Sequence, residues 1–308
     1  LDEGGAEAHA NDLLLHAYRE MCRIRTFETR LNDLFLEGVI AGTSHFCIGQ
    51  EACAVGVCMG LEPDDVVFSN HRGHGHLLAR GADPVRIMAE IFGKPHGYSG
   101  GRGGSQHVAV KEINFMGTHG ITAGTIPLAV GAALHKRLQD EPGLGVVFFG
   151  EGATGEGIFH ESLNMAAIWS LPVLFVCENN QYAMSTAHQD ISPVPNASDR
   201  AAAYAMTAEI TDGNDVAAVY EATSRLRKQL IAGDGPAFLE LQTYRVSGHS
   251  RGDQCQYRSR EEEAEWQGRD PVDRARAQLL GSGIWSNELE TEFVGELAAD
   301  AALAEKAA

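Results

Sequence analysis

Residues 146–180 read VVFFGEGATGEGIFHESLNMAAIWSLPVLFVCENN, and this stretch decides the fold. Val146–Phe149 is apolar at every position, and so is the run from Pro172 to Cys177. A short run apolar on both faces suits a parallel strand covered above and below. Between them, residues 156–169 place Ile158, Leu163, Ala166 and Ala167 at helical spacing. Strand, helix and strand form a βαβ unit, and a right-handed crossover lays its two strands side by side. The sequence therefore predicts an α/β fold with a doubly wound, mostly parallel sheet.

The same geometry predicts a site. Glu151 follows the first strand, and Asn179 and Asn180 follow the second. Adjacent parallel strands end on one edge, so a carboxylate and an amide oxygen converge where such sheets bind ligands. Hard oxygens of this kind suit Mg²⁺ or Ca²⁺, and a diphosphate can fill the positions left open. Gly152, Ala153 and Gly155 permit close backbone approach at the start of the next helix, whose free N–H groups and dipole favour an anion.

Outward from this centre, helices are expected over 12–37 (with Asn11 or Asp12 as cap), 50–60, 84–92 (with Asp83 as cap), 126–139 and 215–232. Strands are expected at 66–69 and 237–244. Residues 93–123, rich in Gly, read as a long functional loop without elements of its own. Residues 248–270 read as a mobile loop, followed by a helix from Pro271 and a helical tail from Ser286. The organisation expected is one domain over 1–275 with a helical extension over 276–308.

Composition narrows the function. The 308 residues are 44% apolar with a net charge of −18, which argues against nucleic-acid binding. There is no apolar run long enough for a membrane span, at about 18 residues, and no secretory signal is visible at the start. The six cysteines include no C-x-x-C pair and read as buried thiols in a reducing compartment.

The segment GEGATGEG…ENN resembles the thiamine diphosphate motif, in which GDG is followed about thirty residues later by NN. The likeness runs on, in family order, through SHFCIGQEACAVGV at 44–57, HRGHG at 71–75, GRGGSQH at 101–107, HGITAGTIPLAVG at 119–131, ENNQYAMST at 178–186 and ELQTYRVSGHS at 240–250. Together they are similar to alpha subunits of the decarboxylating component of thiamine-diphosphate-dependent 2-oxo acid dehydrogenases, of pyruvate or acetoin type. The resemblance implies the diphosphate-binding half of a thiamine-diphosphate fold.

It also implies roles. Glu151, Asn180 and the Tyr182 carbonyl would hold Mg²⁺. Arg72 would hold the diphosphate, with His71 where the family has Tyr. Gly150, Gly152 and Ala153 would wrap the diphosphate, and Gly120 and Thr122 would meet the aminopyrimidine. His74 and His249 would line the reacting carbon as proton donors, His249 also touching the cofactor. The substrate would be a small 2-oxo acid or hydroxyketone, and the acyl group would pass to a lipoyl acyltransferase. The Glu that activates the cofactor would come from a beta subunit, in an α2β2 heterotetramer. The compartment implied is the bacterial cytoplasm, or the mitochondrial matrix in a eukaryote. Ser250 matches a position phosphorylated in mitochondrial members.

Two departures stand out. Glu151 replaces the family's Asp, one methylene shorter, which leaves metal preference open. Thr43 and Ser44 stand where pyruvate-type subunits often carry a bulky aromatic, which points to a smaller, more polar pocket wall. An alternative reading is a stand-alone thiamine enzyme making or cleaving C–C bonds in secondary metabolism. A zinc site from His71, His74 and His76 is a weaker rival, because the spacing is poor and a fourth ligand is lacking.

Overall fold

The computed structural model describes residues 3–40, 42–250 and 252–307. In chain order the elements are α1 (Glu3–Leu36), α2 (Glu51–Met59), β1 (Val66–Phe68), α3 (His74–Ala79), α4 (Pro84–Ile91), β2 (Phe115–Gly117), α5 (Ile126–Gln139), β3 (Gly145–Gly150), α6 (Gly157–Ile168), β4 (Val173–Asn179), β5 (Tyr182–Ala183), β6 (Thr186–Ala187), α7 (His188–Ile191), β7 (Thr207–Asp212), α8 (Val216–Ala232), β8 (Ala237–Gln242), α9 (Arg260–Gln267), α10 (Pro271–Gly281) and α11 (Asn287–Ala307). Six strands form one sheet in the order β2-β1-β3-β4-β8-β7, and every pairing is parallel. The expected α/β fold with a doubly wound parallel sheet is what forms.

The period of two along the central strands builds both layers. Val146, Phe148, Leu174, Val176, Leu239 and Leu241 face one side, packed with α1, α2 and α8. Val147, Phe149, Val173, Phe175, Cys177 and Phe238 face the other, packed against α5 and α6 through Ile126, Ala129, Phe159 and Leu163. Strands covered on both faces must be apolar throughout, which is why β3 and β4 contain no polar residue before their last positions.

The chain steps from β1 outward to β2, returns across β1 to β3, and then continues to β4. The direction reverses between β1 and β3, and the strand ends there open a crevice, the usual ligand site of such sheets. β3 and β4 pair from Gly145↔Val173 to Gly150↔Glu178, so Glu151 and Asn180 leave the sheet at the same height.

Several expectations shift. α1 runs through Asn11 and Asp12 rather than starting there. Asp83 caps α4 as expected, accepting from the Val85 N–H at 2.9 Å. Residues 93–123 do carry a short strand, β2, whose three residues are too few to show a period. The loop expected over 248–270 contains α9, capped by Ser259. Tail helix α11 lies against α1, with Tyr18 donating to Glu290 at 2.8 Å and Arg30 paired to Glu305 at 2.8 Å. Among the described residues, no helix is long and apolar enough to cross a membrane. All six cysteines are free, and Cys47, Cys53, Cys58 and Cys177 are buried.

Candidate active site

A cavity of about 290 Å³ opens at the C-terminal ends of β1, β3, β4 and β8. β1 leads into Asn70, His71 and Arg72; β3 into Gly150, Glu151, Gly152 and Ala153; β4 into Glu178, Asn180 and Tyr182; β8 into Arg245 and His249. Gln50 enters from the turn before α2, and Thr122 from the loop before α5. Of the sequence-derived residues, His71, Arg72, Thr122, Gly150, Glu151, Gly152, Ala153, Asn180, Tyr182 and His249 all line this cavity.

Glu151 and Asn180 converge as the crossover requires: the Asn180 N–H donates to Glu151 Oε2 at 3.2 Å. Asn180 Oδ1 accepts from the Tyr182 N–H at 3.4 Å, and its Nδ2 donates to Gln50 Oε1 at 3.2 Å. β3 passes into a 3₁₀ turn over Glu151–Gly155, and α6 starts only at Gly157. The free N–H groups nearest the cavity therefore belong to that turn rather than to a helix end. At Gly152 an added Cβ would lie 2.8 Å from the Ala183 Cβ, so the hairpin that carries Tyr182 packs directly on the turn.

Two guanidinium groups face this acidic corner. Arg72 is buried and donates to the carbonyls of Phe46 and His249. Burial beside Arg245 pulls it down to about 10. Arg245 donates to the Tyr182 carbonyl at 3.1 Å, to the Met184 carbonyl at 2.6 Å and to the Tyr257 hydroxyl at 2.6 Å. Burial raises the Glu151 carboxyl to about 7, because its hydrogen bonds recover only part of the lost hydration.

The donor set fits a diphosphate with a hard divalent cation. Glu151, Asn180 and the Tyr182 carbonyl offer three oxygens on one wall. Arg72 and Arg245 offer charge for an anion. Gln50 Nε2, Arg245 Nε and His249 Nδ1 are buried there without hydrogen-bond partners, which is costly unless a ligand completes them.

Three placements differ from the sequence reading. His74 does not reach the cavity. Its ring is fully enclosed, with Nδ1 2.7 Å from Glu28 Oε1 and Nε2 2.9 Å from Ser105 Oγ, so both nitrogens are already engaged. The imidazole beside His249 is instead His45, whose ring lies 4.9 Å from that of His249 and 4.6 Å from that of His71. Gly120 sits beside Gln106, two residues before the cavity-lining Thr122. Ser44 faces Ser105 at 2.9 Å, and Thr43 lines a separate pocket with Phe35 and Ile91, so neither forms a polar wall here. The zinc set of His71, His74 and His76 does not assemble, because His76 bonds Ser69 and Glu178.

His45, Gln50 and Arg245 escaped the sequence reading. Arg245 had a usable signal, since it is a lone cation just past an apolar strand and the strand-end rule that found Glu151 applies to it. Burial beside Arg72 holds all three imidazoles low: His45 near 3, His71 near 2 and His249 near 4. At neutral pH they are uncharged, so each ring carries one nitrogen that can accept a hydrogen bond and one N–H that can donate one.

Fold and cavity define an α/β protein that binds its ligand at the switch point of a parallel sheet. The chain belongs to the dehydrogenase E1 component family, whose profile it matches over residues 19–308. It is 44% identical over 251 residues to the alpha subunit of acetoin:2,6-dichlorophenolindophenol oxidoreductase of Bacillus subtilis, covering 82% of this chain and 75% of that one. It is 42% identical over 278 residues to the pyruvate dehydrogenase E1 component subunit alpha of Zymomonas mobilis, covering 90% and 78%. A human mitochondrial relative, the testis-specific pyruvate dehydrogenase E1 component subunit alpha, is 36% identical over 285 residues, covering 92% and 72%.

Proposed function

We propose that this chain is the alpha subunit of a thiamine-diphosphate-dependent 2-oxo acid dehydrogenase of pyruvate or acetoin type. The observation that carries the reading is the convergence of Glu151, Asn180, Tyr182, Arg72 and Arg245 on one cavity at the sheet's switch point. The relatives' names favour a dehydrogenase over a stand-alone carbon–carbon bond enzyme.

Glu151, Asn180 and the Tyr182 carbonyl hold Mg²⁺. Arg72 and Arg245 hold the diphosphate against the N–H groups of the turn from Gly150 to Ala153. Thr122, with Gly120 behind it, borders the aminopyrimidine. Bound thiamine diphosphate supplies the electron sink that lets a bond beside a carbonyl break. His249 and His45, uncharged and in ring contact, would face the reacting oxygen and would move protons there once a bound diphosphate offsets the Arg72 charge that helps to hold them neutral. His71 walls the cavity on the same side. His74 acts from behind, because it bonds Ser105, whose neighbour Gln106 reaches His45 Nδ1 at 3.1 Å.

A beta subunit completes the site. Ile121 and Met184 line the cavity yet stand 67% and 64% exposed, an apolar rim that a partner would cover. The assembly proposed is an α2β2 heterotetramer that passes its acyl group to a lipoyl acyltransferase, in the bacterial cytoplasm or the mitochondrial matrix. The free, buried cysteines suit either reducing compartment.

The test is turnover of the chain co-expressed with its beta partner, with thiamine diphosphate and Mg²⁺. Pyruvate, branched-chain 2-oxo acids and acetoin are the substrates, and 2,6-dichlorophenolindophenol is the acceptor. Turnover of one of them supports the reading and names the substrate. A cofactor-loaded complex inert toward all of them refutes it.

A further inference from the structure

We propose that His45, His71 and His249 form a three-imidazole site for a borderline divalent transition ion, with Zn²⁺ as the probe. One ligating atom from each lies within 4.8 Å of the other two, and no other His, Cys, Asp or Glu group of three or more converges in this way among the described residues. The ring centroids are 4.6, 4.9 and 5.6 Å apart. The three come from separate segments: the turn before α2, the loop after β1 and the loop after β8. Their meeting is a product of the fold, not of local spacing. This inference does not depend on which cofactor the cavity binds.

One ring nitrogen is plainly free to be used: His249 Nδ1 is buried without a hydrogen-bond partner. The Gln106 amide Nε2 donates to His45 Nδ1 at 3.1 Å, so ligation through Nε2 requires that amide to turn and present its oxygen to an Nδ1–H, the kind of outer acceptor that orients metal-ligating histidines. Zinc sits about 2.0–2.1 Å from each imidazole nitrogen, so a tetrahedral arrangement needs nitrogens about 3.3 Å apart. Ring rotation and a small movement of the loop that carries His249 supply the closure, at most about 1.5 Å on those figures. The fourth position opens into the cavity, where water or an anion completes the sphere. Arg72 and Arg245 both oppose a cation here, and Glu151 and Glu178 are the carboxylates that line the same cavity.

Two kinds of donor thus share one cavity and sort ions by softness. Imidazoles prefer Zn²⁺, Ni²⁺ and Cu²⁺, whereas Glu151, Asn180 and the Tyr182 carbonyl are hard oxygens that prefer Mg²⁺. An ion on the three histidines occupies part of the cavity and so inhibits whatever the cavity binds.

The experiment uses the complex with its beta partner, freed of cofactor. Zn²⁺ is titrated calorimetrically, and zinc X-ray absorption reads the coordination shell. One Zn²⁺ per alpha chain, with three imidazole nitrogens in its shell, supports the site. His71→Tyr and His249→Gln should each weaken binding by more than the about 10–100-fold that loss of an outer partner costs. Glu151→Gln should leave Zn²⁺ affinity within about twofold. Sulfur or mainly carboxylate ligands in the wild-type shell overturn the proposal even if a variant fails to fold. So does wild-type affinity in His71→Tyr, or loss of binding in Glu151→Gln.

Discussion

Replacing His74 by Ala should destabilise the protein by about 3–5 kcal/mol, the cost of removing one partner of a buried pair. The figure follows from what the substitution leaves behind. Glu28 and His74 are both fully enclosed, 2.7 Å apart. Without the imidazole, Glu28 keeps only the Cys47 N–H, at 2.7 Å on its other oxygen. Ser105 Oγ loses His74 Nε2 at 2.9 Å and retains Ser44 Oγ at 2.9 Å. Against a typical stability of about 5–15 kcal/mol, the loss is about a fifth or more. The assay is thermal and urea unfolding of the assembled complex at fixed subunit and cofactor concentrations, because binding partners shift apparent stability. His74→Gln keeps a donor toward Glu28 and should recover part of the loss. His45→Ala removes a buried ring that has a single hydrogen bond, to Gln106, and no carboxylate partner, so it should destabilise less than His74→Ala while turnover is largely lost. If His74→Ala unfolds like wild type but is inactive, while His45→Ala still turns over, the assignment of the two histidines is reversed.

Further outcomes follow from the same site. A metal ion binds the Glu151 carboxylate, not the carboxylic acid. With the carboxyl raised to about 7, calorimetry should show Mg²⁺-dependent cofactor affinity level above about pH 8, bending near pH 7 and falling about tenfold per pH unit below about pH 6. Glu151→Gln should show uniformly weak binding with no such slope; a flat profile in the wild type counts against the raised carboxyl. Gly152→Ala should push Ala183 and the Tyr182 hairpin away, at about 1–3 kcal/mol for an overpacked contact. Fluorescence titration should read this as cofactor binding weaker by about tenfold, at about 1.4 kcal/mol per tenfold. Arg245→Lys keeps the charge but loses the fork that reaches Tyr182, Met184 and Tyr257 together, so cofactor affinity should fall with the net charge of the cavity unchanged.

The parts of the fold that showed in the sequence are those where local pattern and burial agree. β3 and β4 are covered on both faces and are apolar without interruption, so they stand out. β7, with the sequence TAEITD, lies at the sheet edge and is mostly uncovered. Its residues are free to be polar, and nothing in them announces a strand. α3 begins inside HRGHG, where His74, Gly75 and His76 carry no apolar period although all three are buried. The site divides in the same way. Glu151 and Asn180 belong to one βαβ unit, and a single crossover rule brings them together. Arg245 and His45 join them only because β8 lies beside β4 and because the turn before α2 packs onto the end of β8. Gly49, with φ of +94° and an added Cβ that would lie 2.8 Å from the Tyr244 carbonyl, marks that packing. Neighbour relations of this kind between distant segments leave no local trace. The sequence points to His74 and passes over His45, because the ring contact that sets His45 beside His249 is made only in the fold.

The same packing sets two guanidinium groups at the cavity wall in so acidic a chain. A net charge of −18 would repel a diphosphate if it acted evenly. Screening limits each surface charge to about 8 Å at physiological ionic strength, so what matters is the charge at the cavity wall. There Arg72 and Arg245 stand together, and the three imidazoles around Arg72 are held uncharged by burial and by its own field. Glu151 is the counterweight, and its raised carboxyl shows that the two guanidinium groups do not neutralise it at their present distance. A divalent cation brought in with a diphosphate would meet both demands at once. The cation would favour the Glu151 carboxylate, and the anion would take the charge of Arg72 and Arg245. Cofactor and metal should therefore bind this half-site cooperatively, each raising the affinity of the other by the same factor.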